Sequence, residues 1–274
     1  MNASSPDRYA VLGHPISHSK SPLIHQRFAE QFGFAIDYQA IDVEPGSFDQ
    51  VIAEFRKQGG KGCNVTVPYK QEAWQIATER SGRAELAGAV NTLRFDPDNK
   101  IYGDNTDGIG LLRDLTINLD QPLFGKRILV LGAGGAVRGV LGSLLEQAPH
   151  LLTLANRTVS KAEELATIFS TIGPVTPSGF EQLAGQQFDV VINGTAASLG
   201  GEMPPLPDNL FAEDALAYDL MYAKEPTVFM EWAQVHGAAR IADGLGMLVE
   251  QAAESFEIWW DRHPQTASVI ASLR

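Results

Sequence analysis

The chain has 274 residues, enough for one large domain or two ordinary ones. Apolar residues make up 44% and charged residues 20%, so a sizeable core and a soluble surface are both expected. A formal net charge of −12, with no Lys/Arg block, argues against a broad nucleic-acid or anionic-membrane surface, yet leaves room for a small anionic ligand in a local pocket.

The single cysteine, Cys63, excludes an intrachain disulfide and reads as a small buried hydrophobe in a strand. The opening MNASSPDRYA has neither the basic region nor the apolar run of a signal peptide. No stretch approaches the ~18 apolar residues of a spanning helix. The expectation is a cytoplasmic protein.

Along the chain, RYAVLG (8–13) reads as a first strand, and after the loop HPISHSKSP the run LIHQRFAEQFG has helical periodicity. DYQAIDV (37–43) alternates like a strand, FDQVIAEFRKQG reads as a helix, GCNVTV as a third strand and KQEAWQIATERSG as a helix again. This rhythm argues for an α/β sheet covered on both faces. GAVNTLRF and NKIYGDN flank the turn-forming DPDN and predict a short antiparallel pair. DGIGLLRDLTINL then reads as a connecting helix, and KRILVLG (126–132) is the clearest strand of the chain. It leads to the helix AGGAVRGVLGSLLEQ, the strand LLTLANRT, the helix KAEELATIF, strands within FDVVINGT (188–195) and LAYDLMY (216–222), and a long terminal helical stretch GMLVEQAAESFEIWW. No fixed-period repeat is present. The division expected is a first domain over 1–106 and a nucleotide domain over 107–243, with the terminal helix assignable to either.

In LVLGAGGAVRG, Gly132, Gly134 and Gly135 lie directly after a strand and at the mouth of a helix. A phosphate needs close backbone N–H groups and the positive end of a helix, and glycine lets it approach because no Cβ intrudes. The spacing matches the start of a dinucleotide-binding loop, although Val137 stands where the common fingerprint has Gly or Ala. The alternative is a merely structural turn. The next strand end selects the cofactor. NAD binders place an acid there for the ribose hydroxyls, whereas this chain has Asn156, Arg157 and Thr158, with Lys161 one turn on. A guanidinium can pair with a 2′-phosphate or lie over the adenine, so NADP is expected over NAD. The bland reading of Arg157 and Lys161 is a solvated helix start.

Ligands of open α/β sheets bind beyond the carboxyl ends of the strands. There the first domain offers Ser17, Ser19 and Ser21, Thr66 at the end of the third strand, Asn91 and Thr92, and the loop GDNTDG with Asp104 and Asp107. Lys70, two residues after Pro68, opens a helix whose positive end disfavours it, so a carboxylate partner is expected. Such an inventory suits a polyhydroxylated substrate. Reduction of a carbonyl needs a hydride donor and an acid for the oxygen, and Lys70 with Asp107 is the pair chosen. His14 and His18 are the rival acids. Taken alone, Lys70 reads equally as a surface lysine and Asp107 as a helix cap.

These residues carry a family likeness. HPISHSKSPLIH, GGKGCNVTVPYK, LAGAVNTL, GDNTDGIG, GAGGAVRGV, NRTVSKAEEL, YDLMY and ADGLGMLVEQAA, in this order, closely resemble shikimate dehydrogenase. The resemblance implies two α/β domains, with the active site in the cleft between a substrate domain and a Rossmann-like NADP domain, and NADPH-dependent reduction of 3-dehydroshikimate. It also returns residues 244–274 to the first domain. It implies that Ser19 and Ser21 hold the substrate carboxylate, that Thr66, Asn91 and Gln251 meet ring hydroxyls, and that Tyr222 stands near the carboxylate. Lys70 resembles the essential lysine and Asp107 its partner. On the cofactor side it implies Gly132, Ala133, Gly134, Gly135, Ala136, Asn156, Arg157, Thr158, Lys161, Thr195 and Leu220, with Gly244 and Met247 near the nicotinamide. No metal, nucleic-acid or membrane partner is expected, and a monomer or homodimer is. The chain departs from the family at Gly194, Ala196 and Ala197, where INATSSG is usual, at Val228, and at Lys161, where many relatives have arginine. The rivals are an NAD-dependent quinate/shikimate dehydrogenase, a methylenetetrahydrofolate dehydrogenase, and, in another class, an NADP-sensing regulator without turnover.

Overall fold

The structure, a computed structural model, describes residues 6–195 and 203–274. The chain forms two compact units. One runs to Asp107 and is joined by Val249–Leu273; the other is Gly108–Leu248 with the terminal Arg274.

In the first unit the elements are β1 (Asp7–Gly13), α1 (Ser21–Phe32), β2 (Ile36–Asp42), α2 (Phe48–Lys57), β3 (Gly60–Val65), α3 (Lys70–Ile76), β4 (Glu79–Arg80), α4 (Gly82–Ala87), β5 (Thr92–Phe95) and β6 (Ile101–Asp104). They build one sheet in the order β2-β1-β3-β5-β6-β4. β1 lies parallel to β2 and β3, as helical crossovers require. β5 runs antiparallel to β3 and to β6. The β5–β6 pair forms where DPDN reverses the chain, with Asn99 in the left-handed region at φ 65. Antiparallel twice over, β6 points the same way as β3. The carboxyl ends of β1, β3 and β6 and the start of β5 therefore share one edge of the sheet. Ala10, Leu12, Cys63, Val65, Val90 and Leu93 form its core with Phe48, Phe55 and Tyr69. Burial pushes the Cys63 thiol far above its ordinary range, so it behaves as a packed hydrophobe.

KQEAWQIATERSG is not one helix. α3 stops at Ile76, Ala77 turns extended, β4 pairs with β6, and α4 starts afresh under Ser81, whose Oγ accepts the Ala84 N–H at 3.1 Å. The apolar periodicity continues through a break that only the strand partner and the cap reveal.

The second unit opens with α5 (Asp107–Arg113), which widens into a single π turn over Asp114–Asn118. It continues with β7 (Arg127–Leu131), α6 (Gly135–Leu145), β8 (Leu151–Ala155), α7 (Val159–Phe169), β9 (Thr176–Ser178), β10 (Phe188–Asn193), β11 (Phe211–Asp219), α8 (Val228–Val235) and β12 (Arg240–Asp243). α9 (Leu245–Trp260) begins in this unit but from Val249 on belongs, with α10 (Ala267–Leu273), to the first. The sheet order is β12-β11-β10-β7-β8-β9 with every pair parallel. Ile128, Leu129, Val130 and Leu131 of β7 and Val190, Val191 and Ile192 of β10 are wholly buried, as a parallel sheet covered on both faces demands. The winding direction reverses between β7 and β10, so the loops after those two strands frame the switch point where such folds take ligands.

Candidate active site

The first unit gathers polar groups at the shared sheet edge. Just past the end of β3, the Thr66 N–H donates to the Leu12 carbonyl of β1 at 2.9 Å, and the His14 N–H to the Val67 carbonyl at 3.1 Å. Gly13 allows this closeness, because a Cβ there would lie 2.5 Å from Thr66 Cγ2. Ser19, half-buried, and Ser21, buried at the head of α1, follow β1, and the Ser21 N–H donates to Ser19 Oγ at 3.3 Å. Tyr69 anchors the start of α3. Its ring is buried against Phe48 and its hydroxyl donates to the Val43 carbonyl at 2.5 Å. That fixes the next residue, Lys70, whose own carbonyl accepts the Val90 N–H at 2.8 Å.

Lys70 Nζ lies 2.5 Å from Asp107 Oδ2, and Asp107 is buried. The other carboxylate oxygen, Oδ1, accepts from Asn91 Nδ2 at 2.8 Å. The orientation of the Asn91 amide is set by a donor that cannot rotate: the Thr106 N–H gives to Asn91 Oδ1 at 2.9 Å, leaving Nδ2 for Asp107. Asn91 Nδ2 also reaches Gln251 Oε1 at 3.2 Å, which brings α9 into the group. The arrangement is an ammonium held on a carboxylate and ringed by hydroxyl and amide side chains.

Sequence reasoning passed over the support of this group. Asn64 Nδ2 donates to Thr92 Oγ1 and Ser255 Oγ at 3.1 and 2.9 Å, while Asn64 Oδ1 accepts from Tyr38 at 2.8 Å and lies 3.1 Å from His25 Nε2. Asn64 Oδ1 must accept, so His25 carries its proton on Nε2. Burial lowers the His25 pKa to about 3, against the small raising effect of the Asn64 bond. The only sequence signal was three polar residues, His25, Asn64 and Ser255, at inward positions of apolar elements. Asp104, read as part of the loop chemistry, is structural. It takes Arg83 through both oxygens at 2.7 and 2.8 Å and Ser81 at 2.5 Å. His14 pairs with Asp42 at 2.9 Å and His18 is exposed; no hydrogen bond joins either to Lys70.

The second unit holds the glycine loop. Gly132 follows β7 at φ 100, Ala133 is half-buried, and Gly134, Gly135 and Ala136 are exposed. Gly134 caps α6 with no side-chain hydrogen bond to the first N–H groups, and nothing lies within 4 Å of where a Cβ on Gly134 or Gly135 would be. Open donors at a helix start suit a pyrophosphate. After β8, Asn156 donates through Nδ2 to the Thr158 carbonyl at 2.8 Å. Arg157, Thr158 and Lys161 are exposed, and neither cation has an ion pair among the described residues. Thr195 gives both its N–H and hydroxyl to Asn193 Oδ1, at 3.1 and 2.8 Å. Ala196 and Ala197 lie outside the described residues. Leu220 and the half-buried Tyr222 follow β11; Gly244 and the buried Met247 follow β12. Gly244 presses on the β11 loop so closely that a Cβ would meet the Leu220 carbonyl oxygen at 2.3 Å. Asp219, buried and unnoticed in the sequence, ties these loops together by accepting from Thr227, Asn193 and the Met221 N–H at 2.6, 3.2 and 3.1 Å.

An all-parallel sheet with a glycine loop at its switch point, in a chain that also holds a lysine–carboxylate pair on a second α/β unit, defines a two-unit dinucleotide-dependent oxidoreductase. The family comparisons narrow this class. Residues 11–93 match the shikimate dehydrogenase substrate binding domain, 116–200 the shikimate/quinate 5-dehydrogenase model and 244–274 the shikimate 5′-dehydrogenase C-terminal domain. The shikimate dehydrogenase (NADP(+)) of Alkalilimnicola ehrlichii is 56% identical over 98% of both chains. An Ael1 enzyme from Pseudomonas putida superimposes with a TM-score of 0.92 at 47% identity, over 97% of this chain and 98% of that one. The shikimate 5-dehydrogenase of Thermus thermophilus, solved with NADP(H) and shikimate, gives 0.85 at 32% identity over 97% and 98%. The chain belongs to the shikimate dehydrogenase family.

Proposed function

We propose that this chain is an NADP-dependent shikimate dehydrogenase, reducing 3-dehydroshikimate reversibly to shikimate. The observation that carries the reading is the 2.5 Å Lys70–Asp107 pair, on a sheet edge that also bears Ser19, Ser21, Thr66 and Asn91. NADPH, when bound, supplies the hydride that becomes the new C–H bond of the ring. Lys70 holds the carbonyl oxygen and gives it the proton, so that C=O becomes CH–OH; in reverse, Lys70 receives the hydroxyl proton. Asp107 keeps the Lys70 ammonium in place, and Asn91 keeps Asp107. Ser19 and Ser21 take the carboxylate, while Thr66, Asn91 and Gln251 take ring hydroxyls, with Tyr222 near the carboxylate. The open start of α6, from Gly132 through Ala136, takes the pyrophosphate. Arg157, with Asn156, Thr158 and Lys161, takes the 2′-phosphate, and Thr195, Leu220, Gly244 and Met247 complete the cofactor side.

Hydride transfer requires the ring carbonyl and the nicotinamide to come into van der Waals reach, so catalysis needs both units to act on one ligand pair. No helix of the described residues is long and apolar enough to cross a membrane. We assign the reaction to the cytoplasm, with the chain as a monomer or homodimer, which fractionation and light scattering test. The decisive assay is loss of NADPH absorbance on addition of 3-dehydroshikimate, run beside quinate with NAD. Absence of turnover with NADPH would sink the reading, and faster turnover of quinate with NAD would replace it with the rival dehydrogenase.

A further inference from the structure

Gly194 closes the switch point of the second unit from the β10 side. Its N–H donates to the Leu131 carbonyl at 2.8 Å, which fixes it against the end of β7. Its carbonyl faces Gly132, where a Cβ would lie 2.9 Å from Gly194 O. Its Cα faces α6: a Cβ on Gly194 would lie 2.4 Å from Val137 Cγ2, 3.1 Å from Leu220 Cδ1 and 3.3 Å from the Leu131 carbonyl oxygen. Real Cβ atoms do not approach carbon so closely, so something must give. Val137 is wholly buried in the first turns of α6, and a β-branched side chain in a helix has one strongly preferred rotamer. The valine therefore cannot swing aside. Relief has to come from moving the start of α6 or the end of β10.

The start of α6 carries the open N–H donors of the glycine loop. We infer that Gly194 and Val137 are a matched pair that sets how far this loop reaches toward the cofactor pyrophosphate, which makes Gly194 a positioning residue for NADP. The two residues are matched in size across the 2.4 Å approach that a Cβ on Gly194 would make. Val137 is larger than the Gly or Ala of the common fingerprint, and Gly194 is smaller than alanine by the methyl that the valine displaces. Gly194 touches the cofactor loop from three sides at once, through Leu131, Gly132 and Val137, so an error there is transmitted to the donors rather than absorbed. The inference rests on the glycine loop being the dinucleotide site.

The test is a double-mutant cycle of wild type, Gly194→Ala, Val137→Ala and the double variant. Each is titrated with NADPH and, separately, with shikimate, and assayed at saturation. Wild type that fails to bind NADPH would overturn the dinucleotide reading itself. With wild type binding, Gly194→Ala is expected to raise the NADPH Kd and KM about tenfold or more, as overpacking against the buried Val137 does, with shikimate binding unchanged and kcat within about threefold. The double variant is expected to return NADPH binding to within about threefold of wild type, because Val137→Ala removes the atom that a Cβ on residue 194 would strike. If Gly194→Ala does not fold, recovery of fold and NADPH binding in the double variant supports the pairing. Wild-type NADPH affinity in Gly194→Ala, or a double variant no better than the single one, would overturn it.

Discussion

Lys70 faces a carboxylate engaged through both oxygens, since Asp107 Oδ2 takes Lys70 and Oδ1 takes Asn91. Lys70→Ala is expected to lower kcat and kcat/KM together by about 10²–10⁴-fold with the fold intact, the pattern of a lost transition-state contact. Shikimate affinity should fall only modestly, because Ser19, Ser21, Thr66 and Asn91 remain; steady-state kinetics with direct titration separates the two. Near-wild-type kcat would return the proton to His14, His18 or an ordered water. Asp107→Asn cannot repair itself by flipping: either orientation sets its amide donors against Lys70 or against Asn91. A related kcat defect follows, compounded in KM if the carboxylate also receives a substrate hydroxyl. His25 gives a stability prediction of its own. Its folded pKa of about 3 lies below the ordinary 6.5, so between these values the unfolded chain binds the extra proton and stability rises with pH. From pH 7 to pH 5 wild type should lose about 2 kcal/mol on this account. His25→Phe, which keeps the stack on Tyr38 at 4.4 Å, should lack that component. Urea unfolding at the two pH values measures the difference, and equal pH slopes in the two proteins would refute it.

Among the elements, α9 shows how a helix far along the chain becomes part of the first sheet. Trp259 donates from Nε1 to the Leu93 carbonyl at 2.9 Å and stacks on Tyr9 at 4.6 Å. Gly62 on β3 makes room for it: a Cβ there would lie 2.6 Å from Trp259 Nε1 and 2.5 Å from the Leu93 carbonyl oxygen. Gly62→Ala should break that hydrogen bond and push the helix outward, costing about 2–4 kcal/mol. A denaturation midpoint unchanged at constant m-value would refute the docking role. Such contacts mark the boundary of what the sequence made legible. β7 and the glycine loop were readable because strand, loop and helix are contiguous, and the β5–β6 pair because DPDN lies between its strands. The early stop of α3 was not, since it depends on β4 finding β6. The hydrogen bond of Asn64 to Ser255 joins residues 191 positions apart, and no local pattern reports it. At the site, Lys70 and Asp107 stood out by type and by family likeness, whereas Asn64, Ser255 and Asp219 are ordinary polar residues whose importance comes from being buried together.

Across the whole molecule, the groups proposed for substrate and for cofactor divide almost cleanly between the two units, and this gives a prediction that neither group alone supplies. Ser19, Ser21, Thr66, Lys70, Asn91, Asp107 and Gln251 belong to the first unit, and the glycine loop with Arg157 belongs to the second. In a chain of net charge −12, a 2′-phosphate depends on local cations, and Arg157 and Lys161 are the two placed after β8. Arg157→Ala should therefore weaken NADPH about tenfold while leaving NADH, which lacks that phosphate, little changed. It should also leave the shikimate Kd as in wild type. Lys70→Ala should show the opposite pattern, with its loss in turnover and, modestly, in shikimate affinity, and with the NADPH Kd preserved. Titrating both variants with both ligands, by cofactor fluorescence and by calorimetry, tests the division. Equal losses of NADPH and NADH in Arg157→Ala would leave adenine stacking as its role. If either substitution weakened both ligands to a similar degree, the two binding functions would not be separable by unit, and the assignment of one ligand to each would fall.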